Sequence, residues 1–350
     1  MAEYYVEATT GSDANAGTSP GSGNAWATIQ YALDTITPGT NGDRINVLAG
    51  ETVSENGLDM ATHTAPTVNA PLFIQGYDTA AGDGGQATID CGGTDGLTDE
   101  GTDWDFTFFI DLSVSNFGAN NACRISNDCT FLRCEFHNGT SDGIEVQGTA
   151  RVIQCYIHNI NGQGILQHSG VLIAYRNVVG DFESATNLIN VGIGGASTTS
   201  AFSGSVIEEN IIYLTQASAT GIHTSRGFTG TCINNSIYQG SAGTGAGISV
   251  GDQATAIFNN LIEGFSGTGG RGIDYGSEPG MLTGGNAVYN CTTAYANASS
   301  EGHIALGDDE TLSASPFNIS GTVTAADFIP ANTGNVKQGS IPTDPQEDVP

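Results

Sequence analysis

Gly247-Ile248-Ser249, followed by Asn260-Leu261-Ile262, is one copy of a pattern that runs through most of this chain. Its first half recurs as Gly143-Ile144, Gly164-Ile165, Leu188-Ile189, Gly221-Ile222, Gly247-Ile248 and Gly272-Ile273, at steps of 21, 24, 33, 26 and 25 residues. Its second half sets a small polar residue ahead of apolar ones. That residue is Cys134, Cys155, Asn177, Asn210, Ser236, Asn260 and Asn286, at steps of 21, 22, 33, 26, 24 and 26. The two series are independent and share the same long step, so the chain is built from repeating units.

Units of this length, with short apolar runs between Gly, Asn and Ser turns and no helical periodicity, predict a parallel β-solenoid, an all-β fold of about 8–10 coils. Phe136, Ile157, Val179, Ile212, Tyr238, Ile262 and Val288 hold the same place in successive units and are expected to point inward. An Asn repeated at one bend can hydrogen-bond the backbone of its own and the next coil, giving a ladder at the ~4.8 Å strand spacing. The long step predicts a projecting insertion loop of small residues at about 192–204.

Residues 1–40 read as a strand, a loop and a capping helix. Trp26, Ile29, Leu33 and Ile36 form one apolar stripe, which Pro38-Gly39 then stops. The coils occupy 41–304, with the strongest alternation from Trp104 to Ser115 read as one long half-buried strand. From 305 to 350 the periodicity fades into a proline-containing closing segment and irregular tail.

Composition narrows the partners. Of 350 residues 37 are acidic and 8 basic, a net charge of −29, and the eight cations are scattered. Such a surface repels nucleic-acid backbones and anionic membranes. Apolar runs fall far short of the ~20 residues of a spanning helix, so no membrane insertion is expected. Met1-Ala2-Glu3-Tyr4-Tyr5 lacks the basic and apolar parts of a signal peptide. The seven cysteines are odd in number and contain no CxxC pair, which predicts free thiols. No cofactor is indicated.

Tyr4-Tyr5-Val6-Glu7-Ala8, Gly11-Ser12-Asp13-Ala14-Asn15-Ala16-Gly17-Thr18-Ser19 and Ala25-Trp26-Ala27-Thr28-Ile29-Gln30 resemble the opening of right-handed parallel β-helix proteins of the pectate-lyase-like superfamily. Ser315-Pro316-Phe317 and Ala326-Asp327-Phe328-Ile329-Pro330 are similar to how many of them close, especially phage and bacterial members. The resemblance implies the fold and leaves the activity open, because the superfamily spans lyases, hydrolases, epimerases and phage tailspikes. The Arg or Lys base and added cations expected of a pectate-lyase-like enzyme find one lysine here, Lys337, in the tail. The Asp-Asp of a polygalacturonase-like enzyme is matched only by Asp308-Asp309, expected outside the coils.

Strand alternation places Glu145, Leu166, Asn190, His223, Ser249 and Asp274 on one outward ledge, which Gln147, His168 and Ser225 extend. Glu145, Gln147, His168, Asn190, His223, Ser225 and Asp274 are therefore the glycan-binding candidates. Asp142, Glu145 and Asp274 are the candidate acids for catalysis, although no stacked carboxylate pair is evident. His137 and His158, 21 residues apart, could share a metal, but two imidazoles make a weak site. Asp13, Asn15 and Gly17 look like the start of a calcium loop but lack its closing Glu, so a structural loop is expected.

Val178, Ile211, Ile237 and Leu261 are expected to face outward beside inward apolar residues, so that face should be covered by the tail or by another subunit. These features favour a phage virion protein, tailspike-like or capsid-decorating, with a host-surface glycan or another virion protein as partner and a homotrimer as one assembly. A hydrolase or lyase of a neutral or weakly charged glycan is the alternative. A bacterial surface adhesin is the third reading.

Overall fold

The computed structural model describes residues 1–36, 41–59, 66–98, 104–118, 122–125, 128–180, 189–195, 202–224, 228–251, 255–276, 281–297 and 304–317. The chain divides into two compact units, Met1–Tyr156 and Ile157–Pro350. Each is a parallel β-helix whose coils contribute one strand to each of three sheets.

In the N-terminal unit the first sheet runs Ala2–Val6, Asp43–Leu48, Leu72–Tyr77, Thr107–Ile110, Cys129–Leu132, Ala150–Ile153, every pair parallel. The second holds Thr52–Ser54, Ala87–Asp90, Leu112–Ser115 and Glu135–Gly139. The third holds Leu58–Asp59, Leu97–Thr98, Cys123–Ile125 and Ile144–Val146. The stretch from Trp104 to Ser115, read above as one strand, is two. Asp111, at φ 55°, turns the chain between Thr107–Ile110 and Leu112–Ser115.

The cap is the helix Ile29–Thr35, with Thr28 as N-cap accepting from the Tyr31 N–H. Trp26, Ile29, Leu33 and Ile36 are all buried, as the stripe requires. Asp13 accepts from the N–H groups of Ala27 and Thr28, and Asn15 donates to the carbonyls of Ser22 and Ala25, so the Asp13–Gly17 loop is held by its own hydrogen bonds. All seven cysteines are free. Burial pushes the thiols of Cys91 and Cys232 up to about 12.

In the C-terminal unit the first sheet runs Leu172–Tyr175, Phe202–Glu208, Phe228–Ile233, Thr255–Phe258, Leu282–Gly284, Ile304–Ala305. The second includes Val178–Val179, Ile211–Leu214, Ser236–Gln239, Leu261–Glu263, Ala287–Tyr289 and Glu310–Thr311. The third runs Gln163–Gln167, Val191–Gly195, Thr220–Thr224, Ala246–Val250, Arg271–Asp274, Thr293–Ala296.

At the bend from the first sheet to the second, each coil carries a left-handed residue: Arg176, Glu209, Asn234, Asn259 and Gly285, with φ of 54–69°. The next residue forms the ladder, Asn177–Asn210–Asn235–Asn260–Asn286. Each side-chain amide donates at 2.9 Å to the Oδ1 of the next. The third rung of the ladder is thus Asn235, and Ser236 lies one position beyond it. The same shift makes Ile237, fully buried and paired with Ile212 and Ile262, the inward residue, while Tyr238 faces out.

The Gly-Ile repeat has a steric origin. A Cβ at Gly164, Gly192, Gly221, Gly247 or Gly272 would stand 2.3–2.5 Å from a methyl of Val179, Ile212, Ile237, Ile262 or Val288 in turn. Glycine and the isoleucine after it both face the core, and only a residue without a side chain fits in the first place. The coil that lacks an obvious copy has one: Gly192-Ile193 pairs with Gly221-Ile222 through the register Ile193↔Ile222. Leu188-Ile189 is therefore not the counterpart, and of the loop expected at about 192–204 both ends, 192–195 and 202–204, are strand, while 196–201 lie outside the described residues.

Candidate functional site

Because Gly and Ile both turn inward, the third sheet of the C-terminal unit presents two outward rows on either side of them. One row is Gln163, Val191, Thr220, Ala246, Arg271 and Thr293, and the other is Leu166, Gly194, His223, Ser249, Asp274 and Ala296. The second row contains His223, Ser249 and Asp274 as the alternation predicted. In place of Asn190 it has Gly194. Asn190 sits just before its strand, where its backbone pairs with Gly162 and Thr220.

Over the last coils the two rows border an open groove of about 300 Å³, lined by Thr220, Thr244, Gly245, Ala246, Ser249, Gly269, Arg271 and Asp274. Arg271 and Asp274 form an ion pair within one strand. The second Asp274 oxygen accepts from Asn297 Nδ2 at 2.7 Å and from the Gly276 N–H at 3.3 Å. Asp274 is thereby fixed and 9% exposed, while the Arg271 side chain is 45% exposed over the groove. His223, on the next rungs of the same row, has its pKa lowered by burial alone, which keeps the imidazole neutral at pH 7. Arg271, Thr220 and Thr244 escape a reading by strict alternation, since they lie on the far side of the inward Gly-Ile pair.

The other sequence candidates lie elsewhere. In the N-terminal unit Glu145 is paired in register with Arg124, whose Nε is 3.7 Å from Glu145 Oε1, and Gln147 Nε2 donates to the same oxygen at 2.7 Å. Asp142 precedes that strand at the bend, where its carbonyl accepts from the Ala122 N–H. His137 Nε2 and Glu135 Oε2 each lie 3.0 Å from the Ser113 hydroxyl on the outer face of the second sheet. Within this unit they bring together one imidazole and one carboxylate around a shared hydroxyl. His158 lies on the strand Tyr156–Ile160 and is half-buried, as is His168 after Gln163–Gln167. Ser225 lies outside the described residues.

The predicted outer apolar stripe is covered by the chain's own closing segment. Ile211, Tyr213, Leu261, Ala287 and Phe317 form one buried cluster against which Val178, Tyr238 and Leu312 pack. Phe317 meets Tyr238 edge-on at 5.9 Å, and Ser315 Oγ donates to Glu263 Oε2 at 2.6 Å. Ile237 does not belong to this stripe; Ser236 holds its position. Asp309 also departs from expectation. It sits on the coils as the last rung of the asparagine ladder, accepting from Asn286.

No known family profile matches the sequence, and no curated protein does. Solved structures do. The GH136 lacto-N-biosidase from Eubacterium ramulus aligns over 89% of this chain and 67% of its own, at TM-score 0.54 and 14% identity. XylC, solved with xylose, aligns over 84% and 69% at TM-score 0.60 and 10% identity. Pectate lyase Pel9A aligns over 91% and 82% at TM-score 0.54 and 15% identity. This chain has the parallel β-helix fold of the pectate-lyase-like proteins.

Proposed function

We propose that this protein is a carbohydrate-active β-helix that takes a neutral or weakly charged polysaccharide along the groove of its C-terminal unit. The observation that carries the reading is the charge balance of that groove. Among the described residues its lining holds one cation and one anion, Arg271 and Asp274, locked to each other among hydroxyls and small residues. An open groove floored by small side chains has room for a sugar unit, and a guanidinium held by its ion pair supplies, with neighbouring hydroxyls, directional hydrogen bonds to its hydroxyls. A polyuronate needs an excess of positive charge, which this groove on a chain of net charge −29 does not offer.

The similar solved structures include a glycosidase, a xylose complex and a pectate lyase, which supports the carbohydrate-active alternative over the virion reading. Hydrolysis by two carboxylates is less well served. Asp274 is the one carboxylate of the groove lining among the described residues, and three donors hold it.

Calorimetric titration with xylohexaose, a galacto-oligosaccharide and a polygalacturonate oligomer tests the proposal. Binding of a neutral oligomer, weakened about tenfold or more by Arg271→Ala, is expected. Binding of the uronate alone, or neutral binding indifferent to Arg271→Ala, overturns it.

A further inference from the structure

Two side chains on the groove's second row are chemically capable and unengaged. His223 and Ser249 are register partners on consecutive coils, so their backbones stand one strand spacing apart, about 4.8 Å, with both side chains on the outer face. Among the described residues neither the Ser249 hydroxyl nor the His223 imidazole has a hydrogen-bond partner. On the other side of Ser249 the register partner is Asp274, which holds the Arg271 guanidinium beside the groove.

From this juxtaposition we infer that Ser249 and His223 form a hydrolytic pair that removes acyl groups esterified to the glycan in the groove, with Arg271 binding the carbonyl oxygen. The inference rests on the glycan reading for its substrate and on the ladder register for its chemistry. Ser249 Oγ attacks the ester carbonyl carbon while its proton passes to His223. The carbonyl π electrons move to oxygen, where the fixed Arg271 cation stabilises the negative charge. Collapse of the tetrahedral species breaks the bond to the sugar oxygen, which takes the proton from His223. Water, deprotonated by His223, then attacks the acyl-serine carbonyl, the bond to Ser249 Oγ breaks and that oxygen takes the proton back from His223; the net reaction is ester plus water to carboxylic acid plus sugar hydroxyl.

Several features suit the assignment. A neutral imidazole is the form a general base requires, and burial of His223 lowers its pKa in that direction. Gly194, the rung before His223, adds no side chain of its own to the row, and the space beside it is taken by Val191 and Gln163. The two reactive groups are not hydrogen-bonded to one another as they stand, and such contacts commonly tighten only when substrate is bound.

The test measures acetate released from per-O-acetylated xylohexaose by the full chain, alongside labelling by an alkyl fluorophosphonate read by peptide mass spectrometry. The expected result is acetate release and label on Ser249. Ser249→Ala and His223→Gln should each lower release about a hundredfold or more, the usual worth of a nucleophile or base. Circular dichroism and urea midpoints show that the variants are folded. Absence of both release and label in the wild-type protein overturns the inference, as does release that survives Ser249→Ala. Calorimetric binding of unacetylated xylohexaose separates the two proposals. Binding without release rejects the hydrolytic pair and leaves the groove, while release without binding rejects the groove as a site for this glycan.

Discussion

Asp309 Oδ1 accepts both the backbone N–H of Asn286, at 3.0 Å, and its side-chain Nδ2, at 2.9 Å. Every internal rung makes the same double contact with the next asparagine, so Asp309 ends the ladder with an oxygen where an amide would need a further acceptor. Its other oxygen takes the hydroxyl of Tyr275 at 2.8 Å, which ties the ladder to the third sheet. Asp309→Ala leaves these donors without a partner and is expected to destabilise the protein by about 3 kcal/mol. Asp309→Asn keeps Oδ1 and should cost about 1 kcal/mol or less. Urea unfolding of both variants decides the matter, and equal midpoints for Ala and Asn would show that the acceptor is not what matters.

The repeat glycines make a second prediction. A Cβ at Gly247 would lie 2.3 Å from Ile262 Cγ2 and 2.7 Å from the Gly272 carbonyl oxygen, a fully buried position in which neither neighbour is a flexible tip. Gly247→Ala is therefore expected to cost roughly 2–4 kcal/mol through overpacking. Gly23, in the N-terminal loop, meets nothing within 4 Å, and Gly23→Ala should stay within about 0.5 kcal/mol of wild type. Thermal midpoints that move equally for the two would remove the steric reading of the Gly-Ile pattern.

These contacts explain what could be read from sequence and what could not. One inward isoleucine and one ladder asparagine per coil leave a periodic trace, which is enough for the fold. Register is harder, because Asn234 and Asn235 are the same residue type in different roles, one turning the chain at φ 59° and the other donating along the ladder. A ladder set on Ser236 puts Ile237 on the outer face, whereas its register with Ile212 turns it inward. Asp309 was missed because it follows the last Gly-Ile unit and puts a carboxylate where the ladder pattern has an asparagine. His223, Ser249 and Asp274 were legible by alternation alone. Arg271 was not, because the inward Gly272-Ile273 pair interrupts the alternation that would have placed it beside Asp274.

The closing segment carries a pH dependence. Glu263 lies in register between Tyr238 and Tyr289 and is 8% exposed under Ser315 and Phe317. Burial raises its pKa, and the hydrogen bond from Ser315 offsets that only in part. The folded state therefore binds this proton more tightly than the unfolded chain. By linkage, stability falls as pH rises from the unfolded carboxylate value of about 4.3 through the raised folded value. Glu263→Gln keeps an acceptor for the Ser315 hydroxyl and removes the buried charge. Relative to wild type, the variant should gain unfolding free energy across that window and keep the gain at pH 7. Urea unfolding at intervals from pH 4 to pH 7 measures the difference. A constant offset between the two proteins would mean that Glu263 ionises as easily under the closing segment as it does in the unfolded chain.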